Sequence, residues 1–424
     1  MKSRIITLFL LCCTALSLNG QNINGRLSLG AYGFERFDSV GSSQSVIHGA
    51  QSLYLNINQQ KFSLRTSLSY ESFSESSIGE DRLRLYTFHL EGRKLWDVFS
   101  FKLGRHSIFN GPASGLYDGV SLKGTYSDFE ANFHYGGVLP SYQKMKIAEN
   151  FADNSVTAAT VAYNHGGLFG VKAGYSAKNL KRPDYSVTRL DDQFNPITLL
   201  IKQNSNQFRY IFLDADFSPE NLFAGLKTEY DLNISKLSKL EVQSDFTISD
   251  QLDAEAYILY REPTVKYNSI FSVFDYGNTF EGEVGFGYKF MPGFRLGANF
   301  AYINYKDDNS HRYGFSLTTE YGSLSYRANG GYAGEMQSIS LYLAKTFLEG
   351  LLTPSLGLAL TDYKLSQDAE TNNLTTLLGG VNIKPMKFLS FDLQMQYMNN
   401  KIYSNDLRLL IRANYWFNTN LGVM

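Results

Sequence analysis

A two-residue alternation of apolar and polar side chains constrains this chain more than any other feature, and it is clear between Phe99 and Tyr135. The first segment there places Phe99, Phe101 and Leu103 on one side and Ser100, Lys102 and Gly104 on the other. A glycine-rich loop follows, and the alternation then returns in two further segments separated by a tight turn. A period of two predicts extended strands with one apolar and one polar face.

The same unit recurs along the chain and predicts about 22 strands, or as few as about 16 if adjacent segments form single bent strands. The predicted strands are 23–35, 48–58, 61–72, 81–92, 97–106, 115–126, 128–138, 156–164, 167–180, 206–217, 221–234, 237–249, 251–261, 277–290, 293–306, 310–320, 322–333, 336–348, 351–363, 373–384, 387–399 and 404–417.

The predicted connections alternate in length. The link after every even-numbered strand is short, whereas the links after odd-numbered strands are often long, as in 36–47, 73–80, 107–114, 139–155, 181–205, 262–276 and 364–372. Short periplasmic turns and longer extracellular loops are typical of outer-membrane β-barrels. This alternation of short and long links predicts that both termini are periplasmic.

The first 20 residues predict a secretory signal peptide, because Lys2 and Arg4 precede an apolar segment that extends from Ile5 to Leu18. Both cysteines, Cys12 and Cys13, lie inside this segment. A mature chain of residues 21–424 would therefore form no disulfide, and we expect it to be a single barrel domain.

Composition supports a membrane-embedded barrel. The chain has 15% aromatic residues, 39 Lys+Arg against 40 Asp+Glu, and after the N-terminal segment no apolar run long enough for a transmembrane helix. The balanced charge gives no indication of nucleic-acid binding. In lipid, strands satisfy their backbone hydrogen bonds only in a closed sheet, so we predict an all-β, antiparallel transmembrane barrel.

Alternation also predicts which charges point into the lumen, since the apolar face must contact lipid. The predicted basic lining residues are Arg65, Arg82, Arg84, Lys102, Arg105, Lys123, Arg408 and Arg412. The predicted acidic lining residues are Glu229, Asp231, Glu241, Asp245, Asp253, Glu255, Glu281 and Glu283. These sets lie about half a turn apart in a barrel of this size. Two interpretations stay open: a transverse field that selects solutes, or charges that are simply solvated or paired across strands.

Aromatic residues near strand ends predict girdles at the two membrane interfaces. The set comprises Tyr32, Phe34, Tyr70, Phe73, Tyr163, Tyr175, Tyr230, Tyr288, Tyr302, Tyr305, Tyr363, Tyr397, Tyr415 and Trp416.

Two long connections, 181–205 and 262–276, contain apolar runs and are predicted either to constrict the lumen or to contact a protein partner. No catalytic constellation is evident: the six histidines are scattered, and the pair His106-Ser107 has no third residue to orient it. We therefore predict neither an enzyme nor a cofactor or metal site.

The segment Leu103-Gly104-Arg105-His106, followed by Asp118-Gly119-Val120, resembles the Leu-Gly-Arg-Gln … Asp-Gly-Val pattern of alginate-export-type and related substrate-channel porins, with His106 in place of the usual Gln. The signal peptide ending in Asn-Gly-Gln and the strands rich in Tyr, Asn and Lys resemble outer-membrane proteins of the Bacteroidota. The resemblance implies a channel in the outer membrane of a Gram-negative bacterium.

We therefore expect an outer-membrane channel for passive diffusion of small hydrophilic, and in particular anionic, solutes, with the loop after the fifth strand narrowing the pore. The alternative is a non-transporting accessory barrel of a larger outer-membrane complex. A barrel-embedded hydrolase comes third.

Overall fold

The chain folds into a closed antiparallel barrel of 22 strands with a separate two-stranded hairpin. The computed structural model describes residues 21–39, 42–74, 79–109, 111–139, 145–181, 184–190, 193–201, 208–264, 276–306, 308–331, 334–366, 369–401 and 405–421. The predicted signal peptide lies outside the described residues.

The strands are β1 (Gln21–Ser39), β2 (Ser42–Gln59), β3 (Phe62–Phe73), β4 (Arg82–Leu95), β5 (Phe99–Ile108), β6 (Gly115–Tyr126), β7 (Phe129–Val138), β8 (Asn154–His165), β9 (Phe169–Leu180), β10 (Tyr185–Leu190), β11 (Pro196–Ile201), β12 (Phe208–Phe217), β13 (Leu222–Asp231), β14 (Lys236–Thr247), β15 (Leu252–Arg261), β16 (Thr279–Met291), β17 (Phe294–Tyr305), β18 (Asp308–Thr319), β19 (Gly322–Gly331), β20 (Glu335–Ala344), β21 (Leu352–Lys364), β22 (Asn372–Met386), β23 (Leu389–Asn399) and β24 (Asp406–Leu421). The described residues also form short 3₁₀ turns at Gly111–Ala113 and Leu348–Gly350.

Each barrel strand pairs with its neighbour in sequence, except that β9 pairs with β12 across the inserted hairpin. The first and last strands pair from Gln21↔Leu421 to Gly33↔Leu409 and close the barrel. Closure leaves no sheet edge, so every strand has hydrogen-bonding neighbours on both sides. The predicted all-β transmembrane barrel with 22 strands is confirmed.

The outer face is apolar, as lipid contact requires. Leu27, Leu53 and Leu68 share that face on neighbouring strands, because their register partners are one another. The opposite face carries Arg65, Glu91 and most other charged residues of these strands. Among the described residues, no helix is long and apolar enough to span a membrane.

Three local predictions differ from the structure. The link predicted at 36–47 is absent, because β1 and β2 continue as one long hairpin to Ser39 and Ser42. The link predicted at 181–205 contains the hairpin β10–β11. Strand β24 continues past the aromatic pair Trp416-Phe417 to Leu421.

Several members of the predicted aromatic girdles face the lumen instead of lipid, among them Trp416, Tyr32, Phe34 and Phe73. Trp416 pairs with Arg26, and Tyr32 lies three alternation steps further along the same face of β1. Alternation along β1, β3 and β24 turns these rings to the face that carries Arg26, Glu71 and Arg412.

Candidate functional site

The loop that follows β5 folds into the barrel. Its 3₁₀ turn, Gly111–Ala113, packs against β8, β9 and β12, which lie on a different part of the wall from β5. Gly111 has φ +51° and lies against the ring of Phe212 on the inner face of β12. A side chain at this position would need a rarely adopted backbone conformation. The loop thus fills part of the lumen.

A small apolar cluster holds this loop in place. Ala113 is 1% exposed and packs with Ile108, Tyr117, Val156 and Ala158, all buried on the inner face. The Tyr117 hydroxyl donates to the carbonyl oxygen of Ala113 at 2.7 Å. The loop is therefore fixed both by apolar burial and by a hydrogen bond whose donor is itself buried.

A polar cleft of about 530 Å³ opens beside the loop on the lumen side of β5, β6 and β7. Its lining includes Lys102, Lys123 and Glu130, together with Phe109 from the start of the loop. The Lys123 ammonium contacts the Glu130 carboxylate at 2.5 Å. The cleft therefore presents ammonium groups, the two paired carboxylates of Glu91 and Glu130, and an exposed aromatic ring to the lumen.

Ser121 lies at the back of this cleft between two histidines. Nδ1–H of His106 donates to the carbonyl oxygen of Gly104 at 2.9 Å, which leaves Nε2 to accept from the Ser121 hydroxyl. His134 Nδ1 donates to the same Ser121 oxygen at 2.7 Å. Within the described residues, no carboxylate bonds to either ring, so the group lacks the third member of a catalytic triad. The sequence did not point to this group, because its members come from three strands.

The predicted basic residues of β3 to β6 lie on the inner face, but acidic residues accompany them. Arg65 contacts Glu91 at 2.9 Å, and Arg84 contacts Glu71 at 3.1 Å. Lys102 is 3.9 Å from Glu91. Arg82 pairs in register with Glu71. A register shift between Ser67 and Leu68 brings Arg82, Arg84 and His89 to the same face.

The predicted cations of the closing strand are also paired. Arg408 contacts Asp406 at 2.7 Å, and Arg412 contacts Asp392 at 2.9 Å. The Asp406 side chain is fully buried. These pairs reduce the local positive charge at the long-loop end and in the middle of β24.

The predicted acidic residues lie on the inner face of β13 to β16, again with cations between them. Glu241 contacts Lys239 at 2.6 Å and Lys227 at 3.0 Å. Asp253 contacts Arg295 at 2.5 Å. Arg312 bonds to both Glu281 and Glu283.

The other four predicted acidic residues have different surroundings. Asp245 and Glu255 face each other across β14 and β15. Glu229 pairs in register with Lys239 and Phe212. Asp231 is buried at the end of β13 and accepts from the backbone N–H of Asn233 at 2.8 Å. Acidic groups still outnumber basic groups on this part of the inner face.

Arg105 does not line the pore, contrary to the prediction. It shares the outer face with Leu103, because its register partner is Asp118 and β5 continues to Ile108 without a bulge. It is 3% exposed and bonds to Asp118, to the carbonyl oxygen of Leu85 and to the carbonyl oxygen of Lys146. Arg105 therefore fastens the segment around Lys146 to the barrel wall.

The predicted partner loops are only partly described. The hairpin β10–β11 forms its own sheet and exposes Tyr185, Leu190, Phe194 and Leu200. The apolar run of 262–276 lies outside the described residues.

A closed barrel with an apolar belt and a charged lumen is the architecture of an outer-membrane β-barrel protein. Comparison with solved structures agrees with this class. A cryo-EM structure of an E. coli P pilus tip assembly intermediate, PapC-PapD-PapK-PapG, matches with a TM-score of 0.53 at 9% identity, over 94% of this chain and 61% of that chain. The crystal structures of Pseudomonas aeruginosa OccK5 (OpdH) and Acinetobacter baumannii OccAB4 match at 10% and 11% identity, with TM-scores of 0.46 and 0.43; each match covers 94% of this chain and 98% of the other.

These similarities concern the fold. No protein-family model matches the chain, and a search of curated proteins found no match. The resemblance of the Leu103–Val120 segment to alginate-export-type porins stays a prediction.

Proposed function

We propose that the protein is a porin-like channel of the outer membrane, through which small hydrophilic solutes diffuse passively. The observation that supports this most is the position of the loop Gly111–Ala113. The loop is packed inside the lumen and hydrogen-bonded to Tyr117. A loop held against the inner wall narrows a pore without closing it, and such a constriction lets nearby charges act on passing solutes.

The charge distribution favours anions on one side of the lumen. On the inner face of β1 to β6, the described cations outnumber the anions Glu71 and Glu91; these cations are Arg26, Arg65, Arg82, Arg84, Arg93, Lys102 and Lys123. On β13 to β16 the balance is reversed. A solute at the inward loop therefore meets a transverse field, although the ion pairs weaken it.

In the proposed orientation the short turns, and with them both termini, face the periplasm, and the long connections face outward. The direct test is ion conduction by purified protein in a planar bilayer, with a variant in which residues 110–114 are replaced by a Gly-Ser link. The proposal expects steady single-channel currents and a larger conductance in the variant. Equal conductance in both proteins would show that the loop does not narrow the pore.

A second function is supported by the hairpin β10–β11. An isolated two-stranded hairpin is marginally stable in water, and this one exposes several large apolar side chains. Such a surface would suit an accessory barrel that contacts a protein partner through 181–205 and 262–276. Absence of ion current, together with a partner that co-purifies with the intact protein and is lost when the hairpin is deleted, would favour this function.

A further inference from the structure

A row of aromatic and cationic side chains crosses the barrel seam inside the lumen. Arg26 on β1 pairs in register with Trp416 on β24 and with Tyr54 on β2, so the three residues lie side by side on the inner face. They line a cavity of about 810 Å³ near the short turns, together with Asn24, Asn418 and Lys387. Directly opposed positions of neighbouring strands bring side chains close enough to contact one ligand.

The cation of this row is not neutralised, in contrast to the basic residues of β3 to β6 and β24 described with the candidate site above. Those residues have acidic neighbours, whereas Arg26 has no ion pair or hydrogen bond to any part of the chain that the structure describes. Trp416 and Tyr54 are 37% and 39% exposed. Large aromatic faces open to an aqueous lumen on either side of an unpaired guanidinium are suited to binding a ligand.

The neighbouring amides narrow the class of ligand. Asn24 donates to Asn22 at 2.8 Å, and Asn22 donates to Asn418 at 2.7 Å. Within the part of the chain that the structure describes, these bonds leave the carbonyl oxygen of Asn24 and the amide N–H groups of Asn418 available. The Tyr54 hydroxyl can also both donate and accept. The site therefore suits a ligand that has both hydrogen-bond donors and acceptors and an apolar face to stack on an aromatic ring. A polyhydroxylated ring has these properties.

We propose that Trp416, Arg26 and Tyr54 form a saccharide-binding subsite on the lumen wall, at the short-turn end of the barrel. A sugar ring stacks on Trp416 or Tyr54, its hydroxyl groups bond to Asn24 and Asn418, and Arg26 with Lys387 binds an acidic substituent. The subsite deepens the proposed channel function, on which it rests, by naming saccharides, and acidic ones above neutral ones, as solutes that dwell in the lumen.

The tryptophan content of the chain permits a direct binding test. The chain has two tryptophans, and Trp96 lies in the turn between β4 and β5, where it is 81% exposed. W96F leaves Trp416 as the single emitter, and W416F leaves Trp96. Purified protein in detergent is titrated with maltopentaose, with a galacturonate pentamer and with benzoate, and tryptophan emission is recorded.

The subsite predicts a saturable emission change in W96F with both saccharides and none in W416F. Added to W96F, Arg26→Gln weakens binding of the galacturonate pentamer about tenfold, since a charge-assisted hydrogen bond is lost, and weakens maltopentaose binding less. Tyr54→Ala weakens binding of both. Tyr342→Ala is the matched control, because Tyr342 also faces the lumen but pairs in register with Ser323 and Gly357.

Three results would overturn the subsite: no emission change in W96F with either saccharide, equal effects of Tyr54→Ala and Tyr342→Ala, or a response to benzoate in place of the saccharides. Far-ultraviolet circular dichroism confirms that each variant is folded. Saccharide binding without ion current would support the subsite and contradict the channel function. Ion current without saccharide binding would support the channel function and contradict the subsite.

Discussion

Arg105 and Asp118 form a buried two-bond ion pair, with Nε of Arg105 at 2.7 Å from one carboxylate oxygen and Nη2 at 2.9 Å from the other. The pair also holds a returning segment, because Arg105 donates to the carbonyl oxygen of Lys146 and Asp118 accepts from the N–H of Ala148, both at 2.7 Å. One ion pair thus joins β5, β6 and the connection that leads to β8.

Removal of one member of this pair should destabilise the barrel strongly. Asp118→Ala leaves a buried guanidinium without its carboxylate, and breaking a buried pair in this way costs roughly 3–5 kcal/mol of unfolding free energy. Urea unfolding in lipid vesicles measures the loss. Lys61→Met is the matched control, because the Lys61–Asp97 pair is exposed and should contribute little. Similar losses in both variants would contradict the structural role assigned to Arg105.

Loosening the inward loop should disturb conduction more than stability. Tyr117→Phe removes the hydrogen bond to Ala113, which contributes about 1 kcal/mol, and keeps the packing of the ring. We expect more frequent current fluctuations in single-channel recordings and little change in the unfolding transition. Tyr342→Phe, on the same face of the barrel but away from the loop, should leave the recordings unchanged. Quiet recordings from Tyr117→Phe would show that the bond does not hold the loop.

Neutralising the lysines of the cleft should lower the preference for anions. In Lys102→Gln with Lys123→Gln, Glu130 loses the ammonium that it contacts, and Glu91 keeps Arg65 but loses its more distant cation. Two unit charges about 4 Å apart in water interact by roughly 1 kcal/mol, so the permeability ratio should shift toward cations by about fivefold. The reversal potential in a salt gradient measures the ratio. Lys61→Gln, at an exposed turn, is the control. An equal shift of the permeability ratio in this variant would show that the lysines of the cleft do not set the preference for anions.

Arg312 should affect both stability and ion selectivity, because it neutralises the two carboxylates that it contacts. Arg312→Met leaves Glu281 and Glu283 side by side without a cation, so we expect lower stability and greater cation selectivity. Adding Glu281→Gln and Glu283→Gln to the same chain should restore both properties toward their original values. A triple variant that is no more stable than Arg312→Met would contradict this explanation.

The sequence predicted the barrel because a lipid-facing wall imposes a period of two on every strand. The 22 predicted segments correspond to the 22 barrel strands, and the inward direction of Lys102, Lys123 and Glu241 followed from the same pattern. The hairpin β10–β11 was missed because its strands are short and lie inside a connection that was predicted as a loop.

What the pattern could not predict depends on register. The acidic partners Glu71 and Glu91 stand among the predicted cations because of which residues face each other across strands, and alternation along one strand does not determine this. Arg105 was predicted to line the pore because of its charge, although alternation in the predicted strand 97–106 places it on the side of Leu103, and β5 keeps that alternation to Ile108. Trp416 shares the inner face of β24 with Arg408 and Arg412, as alternation along the strand requires, but its pairing with Arg26 depends on the register of two chain ends that are far apart in sequence.

The central claim is that this barrel is an open channel narrowed by the loop between β5 and β6. Single-channel recording of the purified protein in a planar bilayer tests it most directly. We predict steady, weakly voltage-dependent currents that increase when residues 110–114 are replaced by a Gly-Ser link. Folded, correctly inserted protein that carries no current, with or without that loop, would contradict the claim.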